Sequence, residues 1–165
     1  MPRVQISGEV DGCEAREGLA LVCDYERWPD LSDAVEAVRV EREDERQSRS
    51  FWEVTFRRGL MRWTERDELN LSELESKFEL VEGDPDLFVG TWKGEPTASG
   101  CVLTMDAEFD LGMPSLEHIL DPIAVEAIED AVESVLLKTF AGKVKVTFGE
   151  RAAATAEIGS KSEGS

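Results

Sequence analysis

The sequence predicts an α+β fold in which a curved, seven-stranded antiparallel sheet wraps around one long C-terminal helix. One observation is a series of segments between residues 34 and 111 in which apolar and polar side chains alternate, separated by short turns rich in Gly, Pro, Asp and Ser. The other is a run from residue 116 to residue 140 whose apolar residues recur at helical spacing. A sheet with one apolar face and a helix with one apolar stripe bury each other, and this arrangement favours an internal apolar cavity.

The first strand and the short helices are predicted in the N-terminal part of the chain. Residues 3–10 alternate and predict a strand that a polar Asp-Gly pair ends. Residues 13–24 have helical spacing, and Trp28-Pro29 is expected to stop a helix because Pro29 disfavours helical geometry in the residue before it. Short helices near residues 13–31 are expected to close one end of the sheet. The remaining strands are predicted at residues 34–43, 50–57, 60–69, 76–81, 88–94 and 101–111.

The C-terminal helix is predicted at residues 116–141. Asp121 is the expected N-cap and Pro122 falls in the expected first turn, where its missing N–H costs little. Three glutamates occupy the stripe opposite the apolar one and are predicted to face solvent: Glu126, Glu129 and Glu133. Residues 143–148 alternate and either add a short strand or pack as an arm.

The length of 165 residues is that of one domain, which we place at residues 1–148, with residues 149–165 as a disordered tail. The chain has 36 acidic and 18 basic residues and a formal net charge of −18. This charge excludes non-specific nucleic-acid binding, because affinity for a phosphate backbone is mainly cationic in origin. No apolar run reaches the roughly 20 residues that span a bilayer, and the N-terminus lacks a signal-peptide pattern, so a cytoplasmic location is expected.

Several classes of site are excluded by which residues the chain lacks. His118 is the single histidine, which leaves no Ser-His-Asp hydrolase site with a histidine to spare and no His-rich zinc site. The three cysteines, Cys13, Cys23 and Cys101, form no CxxC pair and are expected to be reduced. Neither a phosphate loop nor a dinucleotide fingerprint is present, so we expect no metal and no cofactor.

Four segments carry a resemblance to a known family. They are YERWPDLSDAVEAVRV (25–40), MRWTERDEL (61–69), VEGDPDLFVGTWKGEP (81–96) and DLGMPSLEHILDP (110–122). On these segments, the chain resembles the START-like superfamily over residues 3–141, in particular its polyketide cyclase/dehydrase and coenzyme Q-binding branch. The resemblance implies a helix-grip fold whose cavity holds a hydrophobic small molecule, such as a polyketide, a lipid or a quinone, and in the polyketide case an acyl carrier protein as partner.

The fourth strand departs from the pattern of the bacterial aromatase/cyclases in this superfamily. Some of these proteins are thought to use an inward-pointing arginine four residues after a tryptophan; here the position four residues after Trp63 is Asp67. Arg66 lies one residue early and is therefore expected on the outer face. Glu65 and Asp67 share the face of Trp63, and burial in an apolar cavity raises a carboxyl pKa towards the range useful in general acid–base catalysis. Alternatively, these two candidate catalytic residues lie at the rim or pair with a neighbouring arginine.

Aromatic and helix residues are the candidate walls of the cavity, which we expect to be wide beside the helix alanines and to exceed roughly 300 Å³. As an alternative, the aromatic residues form an ordinary core. Tyr25 and His118, expected near the mouth, and Arg66, within a basic cluster at residues 57–66, are candidate contacts for the ligand or its carrier protein. Otherwise these arginines form surface pairs. The candidate ligand-binding residues are Trp52, Trp63, Trp92, Phe56, Phe78, Phe88, Met105, Leu120, Ala124 and Ile128.

Two functions of different classes follow from these observations. The first is a cofactor-independent polyketide cyclase, aromatase or dehydratase, in which the cavity folds the substrate and one or two carboxyl groups move protons. The second is a non-catalytic carrier of a lipid or quinone, whose pocket is almost wholly apolar. A protein-interaction module acting through the acidic surface is a third, weaker hypothesis. The pattern does not determine the oligomeric state.

Overall fold

The computed structural model describes residues 1–149, so the predicted tail lies outside the described residues apart from Gly149. Two short 3-10 helices, Tyr25–Arg27 and Pro114–Leu116, accompany the longer elements. None of the helices within this range is long and apolar enough to cross a membrane. The strands are β1 (Arg3–Asp11), β2 (Val35–Arg42), β3 (Gln47–Phe56), β4 (Gly59–Asn70), β5 (Glu75–Gly83), β6 (Leu87–Pro96), β7 (Gly100–Asp110) and β8 (Val144–Phe148); the α-helices are α1 (Ala15–Val22), α2 (Trp28–Leu31) and α3 (Glu117–Thr139).

The strands form one antiparallel sheet in the order β2-β3-β4-β5-β6-β7-β1-β8, and α3 packs against it. The predicted helix-grip α+β fold is confirmed. The predicted number of strands is wrong, since the sheet has eight. The additional strand is β8, which pairs with β1 from Ile6↔Phe148 to Val10↔Val144. The other edge of β1 is occupied by β7, so β8 takes the free backbone donors and acceptors of β1.

Strand alternation decides which side chains reach the interior. Along β7 the inward residues are buried and the residues between them are more exposed, and β1 repeats the pattern. A single bulge in β5, where the pairing moves from Thr64↔Glu82 to Glu65↔Leu80, does not interrupt β4 itself. The inward parity of β4 therefore holds from Trp63 to Asp67.

The start of α3 differs from the prediction. The helix begins at Glu117 and contains Pro122 in its interior, so Asp121 is not its N-cap. A proline at this position removes the donor for the carbonyl of His118, four residues earlier. His118 lies in an exposed first turn, so that carbonyl is open to solvent and the helix tolerates the loss.

The predicted solvent-facing stripe of α3 is also incomplete. Glu126 is exposed and Glu133 half-buried, but Glu129 is only 2% exposed. The reason is that α3 is covered by the sheet and also by α1 and α2, so its buried arc is wider than its apolar stripe.

The prediction for Trp28 is wrong as well, because Trp28 is the first residue of α2 and has helical dihedral angles. Pro29 sits in the first turn of α2, where a proline is tolerated. The Trp28 indole donates to the carbonyl of Val22 at 2.9 Å and packs edge-on against Trp52, which holds this residue in place.

The contact between α3 and β1 gives a test of the helix-grip packing. Leu136 is fully buried and packs over Gly8 of β1. Its Cδ1 atom would lie 3.2 Å from a Cβ atom added at Gly8. We expect Leu136→Ala to lower the free energy of unfolding by about 2–5 kcal/mol, through lost burial and the cavity left behind. The matched control is Leu137→Ala at the exposed neighbouring position. This substitution should change the free energy of unfolding by less than about 0.5 kcal/mol. Equal effects in urea denaturation would contradict the packing.

Candidate functional site

An apolar cavity lies between α3 and the inner face of β3 to β7, where the fold predicts it. Its floor is the small-residue face of α3, formed by Ala124, Ala127, Ile128 and Ala131. Leu120, which we expected among the wall residues, does not line it. The remaining nine candidate wall residues do: Trp52, Trp63, Trp92, Phe56, Phe78, Phe88, Met105, Ala124 and Ile128.

The expected size of the cavity is wrong. Its volume is about 140 Å³, below the roughly 300 Å³ at which ligand pockets begin. It is close to the roughly 150 Å³ of an apolar cavity that admits benzene. Large aromatic side chains of the sheet fill much of the space that the helix alanines leave. A ligand that enters without displacing side chains is therefore limited to about one six-membered ring.

The aromatic wall is held by strand register. Trp52 of β3 and Trp63 of β4 are direct cross-strand partners, and their rings stack at 5.7 Å with an interplanar angle of 4°. Phe88 meets the Trp63 ring edge-on at 5.7 Å and contacts Phe78 at 5.2 Å. Such contacts fix ring orientation as well as burying area, so the wall presents flat surfaces to a ligand.

The more exposed end of the cavity lies at the β3–β4 turn. There the lining residues Phe56, Met61 and Leu111 are half-buried, whereas Trp92 and Met105, deeper in the sheet, are buried. His118 is exposed at the start of α3 and does not line the cavity. Several large apolar side chains of the protein are exposed, and none of them lines the cavity: Leu60, Val81, Met113, Leu116 and Ile119.

Two carboxyl groups are buried at the inner side of the aromatic wall. Glu65 and Asp67 are each 3% exposed, and none of the ion pairs found within residues 1–149 includes either of them. The indole N–H of Trp63 donates to Glu65 Oε1 at 2.9 Å. The hydroxyl of Ser50 donates to Asp67 Oδ2 at 2.6 Å and accepts from the indole N–H of Trp52 at 2.9 Å. The pair is therefore neither at the rim nor neutralised by arginine.

Burial raises the pKa of Glu65 well above its usual range, and the neighbouring Asp67 raises it further, against a smaller opposing effect of the Trp63 hydrogen bond. Burial also raises the pKa of Asp67, while hydrogen bonds from Glu65 and Ser50 favour its ionised form. Of the two carboxyl groups, Glu65 has the more strongly raised pKa, so it holds its proton to a higher pH than Asp67 does. The arrangement therefore favours a proton on Glu65 and a hydrogen bond from Glu65 to Asp67.

The two carboxyl groups are placed differently with respect to the cavity. Glu65 lines it, whereas Asp67, two residues further along β4, does not. A ligand in the cavity would therefore meet Glu65, and Asp67 would act through it. Arg66 is exposed on the outer face of the sheet, as strand parity predicts, and lies away from the cavity.

Tyr25 lies deep in the site and not near the mouth, where we expected it. It is 6% exposed, lines the cavity, and its ring contacts Trp28 and Trp52 at centroid distances of 5.7 and 5.2 Å. Beside it are Ser76 of β5 and Cys23, and burial raises the pKa of Cys23 to about 12. Ser50, Ser76 and Trp28 were not among the candidate site residues, although Ser50 shares the inward parity of Trp52.

The basic cluster does not converge on the cavity. Arg62 pairs with Glu53 at 3.1 Å, and Arg57 and Arg58 are exposed in the β3–β4 turn. The three cysteines are free thiols. Within the described part of the chain, no group of three or more His, Cys, Asp or Glu side chains is arranged to hold a metal ion.

Comparisons with known proteins agree with this fold. A family model described as polyketide cyclase/dehydrase and lipid transport matches residues 15–136. No curated protein matches the chain. Among solved structures, a protein from Thermus thermophilus has a TM-score of 0.75 at 22% identity, covering 85% of this chain and 98% of that one.

Two further structures are similar over comparable lengths. The ZhuI aromatase/cyclase from a Streptomyces species has a TM-score of 0.66 at 14% identity, covering 84% of this chain and 94% of its own. A START superfamily protein from Mycobacterium smegmatis has a TM-score of 0.66 at 13% identity, covering 82% and 97%. At these identities the structural likeness concerns the fold.

Proposed function

This chain belongs to the polyketide cyclase/dehydrase and lipid transport family, and on that premise we propose that it binds a hydrophobic, polyketide-type aromatic intermediate and catalyses its dehydration or cyclisation without a cofactor. One observation carries the proposal: Glu65, a buried carboxyl group with a raised pKa, lines an apolar aromatic cavity. A pocket that only stored an apolar molecule would not need a buried acid, because burying a carboxyl group costs free energy.

The chemistry that Glu65 supports is proton transfer at a β-hydroxy ketone. Glu65 gives its proton to the β-hydroxyl group, the C–O bond breaks, and water leaves. The resulting carboxylate takes the proton from the carbon between the two oxygen-bearing carbons, whose C–H electrons form the new double bond. The substrate has then lost one water molecule and Glu65 is again protonated, so no other reactant is needed.

Asp67 is proposed as a positioning residue for this acid. Its carboxylate accepts a hydrogen bond from the Ser50 hydroxyl, which in turn accepts one from the Trp52 indole N–H. The negative charge of Asp67 next to Glu65 favours the protonated form of Glu65. The flat Trp52 and Trp63 rings would meanwhile limit the orientations of a bound ring.

Glu65→Gln tests this proposal. The amide keeps the size of the side chain and an N–H donor towards Asp67 but has no proton to give. The single-ring probe is 3-hydroxy-1-phenylpropan-1-one, and its binding is measured by tryptophan fluorescence. We expect the variant to bind this probe with the affinity of the wild type. Its turnover of the probe to phenyl vinyl ketone should be about 10²-fold lower. The control is Glu68→Gln, three residues further along β4 on its outer face, where the side chain does not line the cavity. Equal turnover in the Glu65 variant would remove this residue from the mechanism.

The carrier function is the alternative outcome. Apart from Tyr25, Thr55 and Glu65, every residue that lines the cavity has an apolar or indole side chain, as a carrier requires. Wild-type protein that binds apolar single-ring molecules but turns over no β-hydroxy ketone would favour a lipid or quinone carrier. Delivery of the substrate by an acyl carrier protein is supported only by the exposed Arg57 and Arg58 at the more open end.

A further inference from the structure

Phe88 differs from the other large rings of the aromatic wall in how it is held. It is the second residue of β6 and lines the cavity. Trp52 and Trp63 each donate an indole hydrogen bond in addition to stacking on one another. A phenyl ring has no such donor, and Phe88 is half-buried, so packing against neighbouring rings holds it in place. Its replacement would therefore change the shape of the wall without breaking a hydrogen bond.

The Phe88 ring occupies the space between two rings that are fixed by other contacts. It meets Trp63 edge-on at 5.7 Å and Phe78 at 5.2 Å. Phe78 is 4% exposed and packs over the backbone of β6, since its Cζ atom would lie 2.6 Å from a Cβ atom added at Gly90. Phe109, the cross-strand partner of Phe88, is also buried in the cavity wall. Because these neighbours are held independently, loss of the Phe88 ring would extend the cavity, and the wall would not collapse into the gap.

We propose that Phe88 determines the size of ligand that the cavity accepts, and that it restricts the natural ligand to a single six-membered ring. A second fused ring would need the space between Trp63 and Phe78, which the Phe88 ring fills. A chain attached to the single ring is not restricted in this way, because it can extend towards the more exposed end at the β3–β4 turn. The inference rests on the proposed function, since it takes this cavity as the ligand site, and it narrows the substrate to monocyclic molecules.

Benzene and naphthalene test this restriction, because they differ by one fused ring and carry no polar group. Their binding is therefore independent of proton transfer by Glu65. Both probes are volatile, so headspace gas chromatography over the protein solution gives the free concentration and the dissociation constant. We expect the wild type to bind benzene more tightly than naphthalene, although naphthalene is the more hydrophobic of the two. In Phe88→Ala the affinity for naphthalene should rise by at least about tenfold, since the second ring is then also removed from water.

Two further variants complete the experiment. Phe51→Ala removes the same ring from the outer face of β3, where Phe51 does not line the cavity, and should leave both affinities unchanged. Phe88→Val keeps a β-branched side chain that suits a strand, so it serves if the alanine variant does not fold. It should also raise the affinity for naphthalene above that of the wild type, by a smaller factor than Phe88→Ala. Circular dichroism shows whether each variant is folded.

The outcomes separate this inference from the function on which it rests. If the wild type binds benzene and neither Phe88 variant raises the affinity for naphthalene, or Phe51→Ala raises it equally, the role of Phe88 is wrong while ligand binding stands. A wild type that binds naphthalene more tightly than benzene would overturn the restriction to one ring. If the wild type binds neither probe, the inference fails together with the ligand-binding function. Should neither Phe88 variant fold, the order of the two wild-type affinities decides.

Discussion

Replacing Trp52 with alanine is expected to lower the free energy of unfolding by about 3–5 kcal/mol, the range for a large aromatic side chain lost from a core. Trp52 is 6% exposed and joins the two parts of the site. Its ring contacts Tyr25 and Trp28 on the helical side and stacks on Trp63 within the sheet. Its indole N–H donates a hydrogen bond to the Ser50 hydroxyl, which in turn donates one to Asp67. The loss therefore combines a cavity with a weakened polar network.

Two further variants separate these contributions. Trp52→Phe keeps a ring but loses the donor to Ser50, so it should cost less than Trp52→Ala. Phe51→Ala is the matched control on the opposite face of β3, where the Phe51 ring is half-buried and covered by Arg39 at 4.1 Å. Urea denaturation monitored by circular dichroism measures all three. A Phe51→Ala cost equal to that of Trp52→Ala would show that the inner face of β3 is not the packed one.

The second large effect is a pH-dependent difference in stability between the wild type and Glu65→Gln. The pKa of Glu65 is raised well above its ordinary value of 4.5 in the folded chain. Between these two pKa values the unfolded chain has lost this proton and the folded chain retains it. The stability of the wild type therefore falls, relative to the glutamine variant, by up to about 1.4 kcal/mol per pH unit. Below the unfolded pKa the difference should be constant.

Among the described residues, Asp67 is the one titrating group whose pKa depends on Glu65 as its hydrogen-bonded neighbour. The groups outside this buried pair are common to both proteins, so the comparison cancels the charges of the rest of this strongly acidic chain. Chemical denaturation at half-unit steps from pH 4 to pH 8 gives the two stability curves. Curves that stay parallel above pH 4.5 would mean that Glu65 ionises normally in the folded state. That result would also remove the physical basis for its proposed role as an acid.

The inward face of β4 shows what strand alternation alone can predict. Because side chains on a strand alternate strictly, the positions of Trp63, Glu65 and Asp67 on one face and of Arg66 on the other follow from spacing alone. The same logic, applied to helical periodicity, places the alanines of α3 against the sheet. Both inferences depend on neighbours within one element, and the structure agrees with both.

How deeply a side chain is buried cannot be predicted from the spacing of residues along one strand or helix. Periodicity predicted two inward carboxyl groups but not that Glu65 lines the cavity and Asp67 does not, since that depends on where α3 crosses the sheet. Tyr25 was expected near the mouth of the cavity, whereas its contacts with Trp28 and Trp52 bury it. The burial of Glu129 requires α1 and α2 to cover α3, and these helices are distant in sequence.

The sequence by itself determined the class of fold, the family, the inward face of β4 and the acidic character of the chain, because each of these depends on composition or on the repeat of a single element. Only the tertiary structure decided the eighth strand, the cavity of about 140 Å³ and the presence of both Glu65 and Tyr25 in its lining. These features depend on how aromatic side chains from different strands fill the space above the helix. Close packing of a core is a property of all the neighbours together, and no single segment specifies it.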